Sequence, residues 1–326
     1  MTQAPALQAC VITPTGSRPA ELADIPGIRA SGKGLVWVHI QGEYLAAHDL
    51  IEAHFDETKL DPLLVDALTT EDARPRLLHH EGQTLMLLRG INHNDPAEPE
   101  DMISIRLIVD DNLVITVIRR NSRSIHDLRK RLDAGRGFTC VGEFVVELID
   151  RLNINMEETF NHLDNTADDL EENILESADA HRRQNIIDSR TGTIQIRRYL
   201  APQRDLLSEL RLSAPSWLRP KDVRKLLECH SNLVKNIEDL DLIRDRLQIM
   251  QEEVTNVISE RLNRNLYVLS LVAAIFLPIS FLTGLLGINV GGMPGADSPY
   301  AFWVVCGLLL AVVVLQYFLF RKLKWL

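Results

Sequence analysis

The sequence has only four cysteines, Cys10, Cys140, Cys229 and Cys306, and no two of them form a CxxC pair. That excludes a readable disulfide framework and a classical zinc finger. There is no glycine-rich phosphate loop, so nothing points to nucleotide hydrolysis. The ten histidines are scattered and no nucleophile is spaced with a base, so the chain does not read as an enzyme. The stretch from Met1 to Gly27 lacks a basic start followed by an apolar core, and no cleavable leader is expected.

Basic residues are also scarce where nucleic acid would need them. Residues 261–326 hold five Lys or Arg and one acid, Asp297, which leaves residues 1–260 with 30 basic and 44 acidic groups. A surplus of acids cannot displace the counterions of a phosphate backbone, so no nucleic-acid partner is expected. The excess suits cations, or simply keeps a large surface solvated.

Long apolar runs are present, but only at the C-terminal end. Leu266–Leu286 and Ala301–Phe320 carry no charge, and each is about 20 residues, enough to cross a hydrocarbon core of about 30 Å. The alternative is a pair of core helices in a soluble domain. Gly287–Tyr300 between them is short and rich in Gly and Pro, which predicts a hairpin in the lipid bilayer. Arg261 and Arg264 precede the first run, Arg321, Lys322 and Lys324 follow the second, and the linker has neither Lys nor Arg. The positive-inside rule then places both termini in the cytoplasm of a multi-pass inner (plasma) membrane protein. Tyr300, Trp303, Tyr317 and Trp325 fall at the expected interfaces.

The first run has two faces. Asn263, Leu266, Ser270, Ala273, Leu277, Ser280, Gly284 and Gly287 follow one another at helical spacing, mostly small or polar. Val268, Val272, Ile275, Ile279, Leu282 and Leu286 form the opposite, bulky side. The small-polar side is either a packing seam or the wall of a water-filled path shared by several copies. Pro278 removes a backbone donor and orphans the carbonyl of Ala274.

The remainder predicts an α+β cytoplasmic domain. A mixed α/β subdomain over 1–135 has strands at 35–40, 85–88, 103–109 and 113–118, a turn at Asp110-Asp111-Asn112 and helices near 47–55, 60–69 and 122–133. A long acidic helical hairpin follows over 136–220, with helices at 141–177 and 182–212. A stalk helix over 221–265 runs without a break into the transmembrane helix 266–286. After it come an outer loop at 287–300, a second transmembrane helix at 301–320 and a basic tail at 321–326. Leu226, Leu233, Leu240, Leu247 and Val254 repeat every seven residues along the stalk, as do Cys229, Ile243, Met250 and Val257 with Asn236 interrupting; this is a helix packed in coiled-coil fashion. Nine acids and no Lys or Arg occur from Leu152 to His181. Asp168, Asp169, Glu171 and Glu172 in that run would attract cations by their field.

Gly287-Ile288-Asn289 ends the first apolar run, followed by Val290-Gly-Gly-Met-Pro294. Gly-x-Asn at that place, before a short loop, one last span and a basic end, resembles the CorA superfamily of divalent-cation transporters. The resemblance covers the whole architecture. It implies a homopentamer with a funnel-shaped cytoplasmic domain, first transmembrane helices that line the pore, and a ring of Gly287, Ile288 and Asn289 at its outer mouth. The magnesium branch has Gly-Met-Asn here; Gly-Ile-Asn followed by Val-Gly-Gly is similar to the ZntB branch. That implies transported zinc, with no resident cofactor, and a coupling to protons. Zinc prefers nitrogen and sulfur, for which Cys229 and His230 on the stalk and His162 and His181 on the acidic helices are the candidates. Cys229 and His230 diverge by about 100° on one helix and read equally as packing residues. Two alternatives stay open: a magnesium, cobalt or nickel channel of the same superfamily, and a membrane-anchored scaffold or signalling protein that moves nothing.

Overall fold

The computed structural model describes residues 5–32, 34–55, 60–71, 74–96, 100–172, 180–288, 295 and 298–323. Seven strands are present among them: β1 (Ala6–Thr13), β2 (Gly16–Pro19), β3 (Leu35–Gln41), β4 (Arg76–His80), β5 (Gln83–Gly90), β6 (Ile103–Asp110) and β7 (Leu113–Ile118). Eight α-helices accompany them: α1 (Ile25–Ser31), α2 (Tyr44–Phe55), α3 (Pro62–Thr69), α4 (Arg123–Asp133), α5 (Val141–Glu172), α6 (Ala180–Ser213), α7 (Pro220–Leu286) and α8 (Ala301–Lys322). The chain divides into two compact units, Met1–Glu252 and Glu253–Leu326, with the boundary inside α7.

In the first unit the strands form one mixed sheet in the order β2-β1-β3-β7-β6-β5-β4. Only β3 and β7 pair in parallel; the other neighbours are antiparallel. Successive side chains of a strand point to opposite faces, and here both faces are covered. Leu35 and Trp37 of β3, with Val114 and Ile118 of β7, join a core with α4, α5, α6 and the first part of α7. Val36, Val38 and Ile40, with Ile115 and Val117, join a second core with α1, α2 and α3. Double coverage explains why β3, β5 and β7 read as unbroken apolar runs. The β6–β7 turn falls at Asp111–Asn112, since Asp110 pairs with Leu113.

Local signals set the helix ends. Asp61 Oδ1 accepts the N–H of Leu63 at 2.9 Å with Pro62 next to it, a capped start for α3. The other end of α3 is held from the sheet. The Arg106 guanidinium, 1% exposed, donates to the carbonyls of Leu68 and Thr70, both at 2.6 Å, and lies 3.5 Å from the Tyr44 ring centre. A cation against terminal carbonyls satisfies groups the helix leaves unpaired.

The helical layer follows the heptad pattern. Leu226, Leu233, Leu240 and Leu247 of α7 are each 0% exposed, and Cys229, Ile243 and Met250 are nearly so. Strands β1, β2 and β4 went unread in the sequence because they are short or poor in β-branched residues and lie toward the sheet's edges. The predicted joint near Ser177 lies outside the described residues, between α5 and α6.

In the second unit, α7 beyond Glu252 and α8 are long and apolar enough to cross a membrane. On α8, partial burial recurs at Ala301, Val305, Leu309, Val312 and Gln316 and becomes full at Phe320. On the membrane-length part of α7 it falls at Leu271, Ala273, Ala274, Ile275, Ile279 and Leu282. These helically spaced stripes mark the faces on which the two helices meet, as a packed pair requires.

Candidate functional site

The face of α7 turned toward α8 takes in Ile275, Ile279 and Leu282 of the bulky side together with Leu271 and Ala274, whereas Val268, Val272 and Leu286 of that side are exposed. Asn263, Leu266, Ser270, Leu277, Ser280 and Gly284, from the small-polar side, are exposed, and Ala273 is partly so. A methyl group built on Gly284 would meet nothing within 4 Å. Nothing among the described residues therefore demands a glycine there.

Pro278 lies within α7, and the carbonyl it orphans has a specific partner. Gln316 Nε2 of α8 donates to the Ala274 carbonyl at 3.1 Å. Its Oε1 is buried with no partner among the described residues. An unsatisfied carbonyl in hydrocarbon costs several kcal/mol at the upper limit, so this bond lets the proline sit mid-span. The sequence reading did not single out Gln316. Its signal was a lone amide in an otherwise apolar run.

At the end of α7 the N–H of Gly287 bonds to the carbonyls of Thr283 at 2.9 Å and Gly284 at 3.2 Å. Gly287 is not among the glycines with positive φ. Its requirement is close approach: an added Cβ would lie 3.0 Å from the Thr283 carbonyl oxygen. Ile288 is 48% exposed. Asn289 lies outside the described residues, as do Val290–Pro294.

The metal-ligand candidates of the first unit are not gathered together. Cys229 is 1% exposed in the heptad core, and its thiol donates weakly to Asp150 Oδ1 at 3.8 Å. Burial first, and then the Asp150 charge, push its pKa to about 12, so a thiolate is not available at neutral pH. His230 is lowered by burial and by the charges of Arg211 and Arg204. His162 and His181 are exposed on α5 and α6. Among the described residues no group of three or more His, Cys, Asp or Glu is placed to hold a metal ion.

The acidic run is answered from two helices. Arg246 of α7 pairs with Asp164 at 3.2 Å, Asp168 at 2.6 Å and Glu171 at 2.5 Å. Arg123 of α4 pairs with Glu158 at 2.7 Å. Hydrogen bonds to Glu171 and Asp168 raise the pKa of Arg246 further. Asp169 also has a partner, and Glu172 is exposed. The field of this face is thus weaker than its acids alone suggest. Deeper in the unit, Glu147 receives Arg131 at 2.9 Å, Arg151 at 2.9 Å and Lys225 at 2.8 Å. Burial alone would raise its pKa, but bonds from Lys225 and Arg151 and the surrounding charges hold it at about 2.

Comparison with known proteins agrees with this layout. Residues 32–322 match the model of the family described as "CorA-like Mg2+ transporter protein". The divalent cation transporter CmaX of Pseudomonas aeruginosa is 40% identical over 276 residues, covering 83% of this chain and 82% of that protein. The zinc transport protein ZntB of Yersinia enterocolitica is 33% identical over 302 residues, covering 92% and 91%. The solved structure of full-length CmaX superposes with a TM-score of 0.83 at 35% identity, covering 98% of this chain and 97% of that one. The apolar helix pair, the mixed sheet under long helices and these matches over most of the chain lead to one conclusion: this chain belongs to the CorA-like Mg2+ transporter family, and it is a divalent-cation transporter, not an enzyme.

Proposed function

We propose that several copies of this chain, five by the family resemblance, surround a pore lined by the small-polar face of α7, through which a hydrated divalent cation passes, with zinc favoured. The observation that carries the reading is the two-sidedness of α7. Toward α8 its Ile275, Ile279 and Leu282 are partly covered, and its face of Asn263, Ser270, Ser280 and Gly284 is bare among the described residues. Two helices cannot enclose a path, so a bare polar face in lipid needs other copies or water beside it. Gly287, Ile288 and Asn289 stand at the outer mouth in this reading. Five Asn289 carbonyl oxygens suit a hydrated ion, because an uncharged ring cannot repay full dehydration.

Zinc is favoured by Gly287-Ile288-Asn289 with Val290-Gly-Gly, and by a curated relative named as a zinc transport protein. The relative at 40% identity is named only as a divalent cation transporter, which keeps magnesium, cobalt or nickel as the second reading. Protons belong to the zinc reading. Neither Leu266–Leu286 nor Ala301–Phe320 contains Asp, Glu or His, so a proton-carrying group has to lie outside the spans. Both termini are assigned to the cytoplasm from the basic flanks.

The test is metal flux into liposomes holding purified protein and a zinc-sensitive dye, with competing magnesium, cobalt and nickel, with and without a pH gradient. Zinc uptake that the other metals barely reduce, and that a pH gradient accelerates, supports the full reading. Preferred magnesium entry moves the assignment to the second. No flux of any metal returns the chain to a membrane anchor.

A further inference from the structure

Ala301–Phe320 contains one side-chain amide, Gln316, and the membrane-length part of α7 contains one proline, Pro278. The two meet at a single atom. Gln316 Nε2 donates at 3.1 Å to the Ala274 carbonyl, which Pro278 leaves without its helical donor. α7 itself offers no substitute. A Ser or Thr hydroxyl can reach back one turn to such a carbonyl, but the residues three and four positions on are Leu277 and Pro278. Thr283 spends its hydroxyl on the carbonyls of Ile279 at 3.0 Å and Ser280 at 3.1 Å.

Gln316 lies in the partly covered stripe of α8, between Val312 and Phe320, so the bond sits in the seam of the helix pair. Half of the amide is unused there: Oε1 is buried and has no partner among the described residues. The side chain therefore returns little stability for the polar atoms it brings into an apolar seam. A lone polar contact in such a seam supplies register instead.

Without Gln316, the donor left for the Ala274 carbonyl is water, and in the proposed pore water runs along the small-polar side of α7. Ala273 belongs to that side and Ala274 to the face toward α8. Successive residues of a helix are about 100° apart. A rotation of that size would bring the carbonyl to the path. It would also replace Ser270, Ser280 and Gly284 along the wall by their successors, Leu271, Phe281 and Leu285. The wall would lose two hydroxyls and gain three bulky apolar groups.

We infer, given the proposed pore on which this rests, that Gln316 is a positioning residue for transport: its bond to the Ala274 carbonyl fixes the rotation of α7 about its own axis, and so fixes which side chains the cation passes. Gln316 touches no ion. It selects between two settings of α7, one with hydroxyls at the path and one with Phe281 and Leu285 there, by removing the drive for a carbonyl in hydrocarbon to seek water.

The experiment maps the water-facing side of α7 in proteoliposomes of the full-length chain. Ser280→Cys and Phe281→Cys, each alone, are treated with a charged, water-soluble thiol reagent, and the modified α7 peptide is read by mass spectrometry. With Gln316 in place, Ser280→Cys should react and Phe281→Cys, facing lipid, should not. Gln316→Leu should slow the first and open the second, each rate changing about fivefold, the worth of one lost hydrogen bond. Metal flux per oligomer should fall by a similar factor, with the oligomer intact in size exclusion. Pro278→Ala returns the helical donor, so in that background Gln316→Leu should change neither labelling nor flux. A general loosening of the pair would instead lower flux without moving the labelled face. If Gln316→Leu does not assemble, Gln316→Met, which keeps the length and drops the donor, decides. A labelling pattern that the loss of Gln316 leaves unchanged overturns the inference while the pore stands. If Ser280→Cys is not reached even with Gln316 in place, the pore itself falls, and the inference with it.

Discussion

At the scale of single residues, the strongest expectation concerns Asn289. Its replacement by Ala should cut metal flux about tenfold or more, since each lost contact to a bound ion is repeated around the ring. The oligomer should survive, as size exclusion would register. Asn289→Asp should bind cations more tightly and release them more slowly. Parental flux in Asn289→Ala would remove the ring from the mechanism. A second expectation concerns pH. Glu147 titrates near 2 in the folded chain, below the ordinary 4.5. Its stabilising share is therefore complete above about 4.5 and is lost as pH falls toward 2. Glu147→Gln should lower stability by about 2 kcal/mol at pH 7, because its three cations keep partial access to water. It should also flatten the fall of Tm between pH 5 and pH 3, which melting curves of parent and variant compare directly. The Gly-Ile-Asn motif was legible because it is contiguous. Glu147, Arg106 and Gln316 were not, because a lone charge or amide gains meaning only from partners far away in sequence, such as Lys225, Leu68 and Ala274.

At the scale of elements, four of the five interior strands, β3, β5, β6 and β7, were legible from their apolar and β-branched runs, and α7 from its seven-residue spacing. The edge strand β4, Arg76-Leu-Leu-His-His80, was not: one side faces solvent and its residues are poor strand formers. The acidic face of α5 was legible as charge, yet its neutraliser Arg246 sits on a different helix. Two opposite changes test what remains of its field. Neutralising Asp168, Asp169, Glu171 and Glu172 should lower flux at low salt and matter little at high salt, where screening acts beyond about 8–10 Å. Arg246→Gln should do the reverse at low salt. Equal losses at every ionic strength would point to misfolding or a discrete site. Between the two spans, Gln316→Leu should weaken the hairpin by about 1 kcal/mol. In a Pro278→Ala background the Ala274 carbonyl regains its helical donor, so the same change should cost almost nothing. Unfolding in mixed micelles of the two single variants and the double variant measures that coupling.

At the scale of the whole molecule, the bare face of α7 predicts an assembly. Native mass spectrometry in detergent should find five copies; a monomer would leave Ser270, Ser280 and Asn263 facing lipid for no reason and would sink the pore. The sheet has a consequence for how the chain is made. Its one parallel pair joins β3 to β7, with Trp37 bonded to Thr116 across 79 positions of sequence. A chain leaving the ribosome cannot close the centre of this sheet until Ile118 has emerged, and until then β3 presents an open edge suited to mispairing. Once β7 is out, every strand is in hand while the apolar helices are still unmade. Arresting translation far enough downstream that Ile118 lies either just inside or just outside the ribosome should therefore yield nascent chains of different protease resistance, and the first unit, once α4 to α7 have covered the sheet, would be finished before the first greasy segment asks for a membrane.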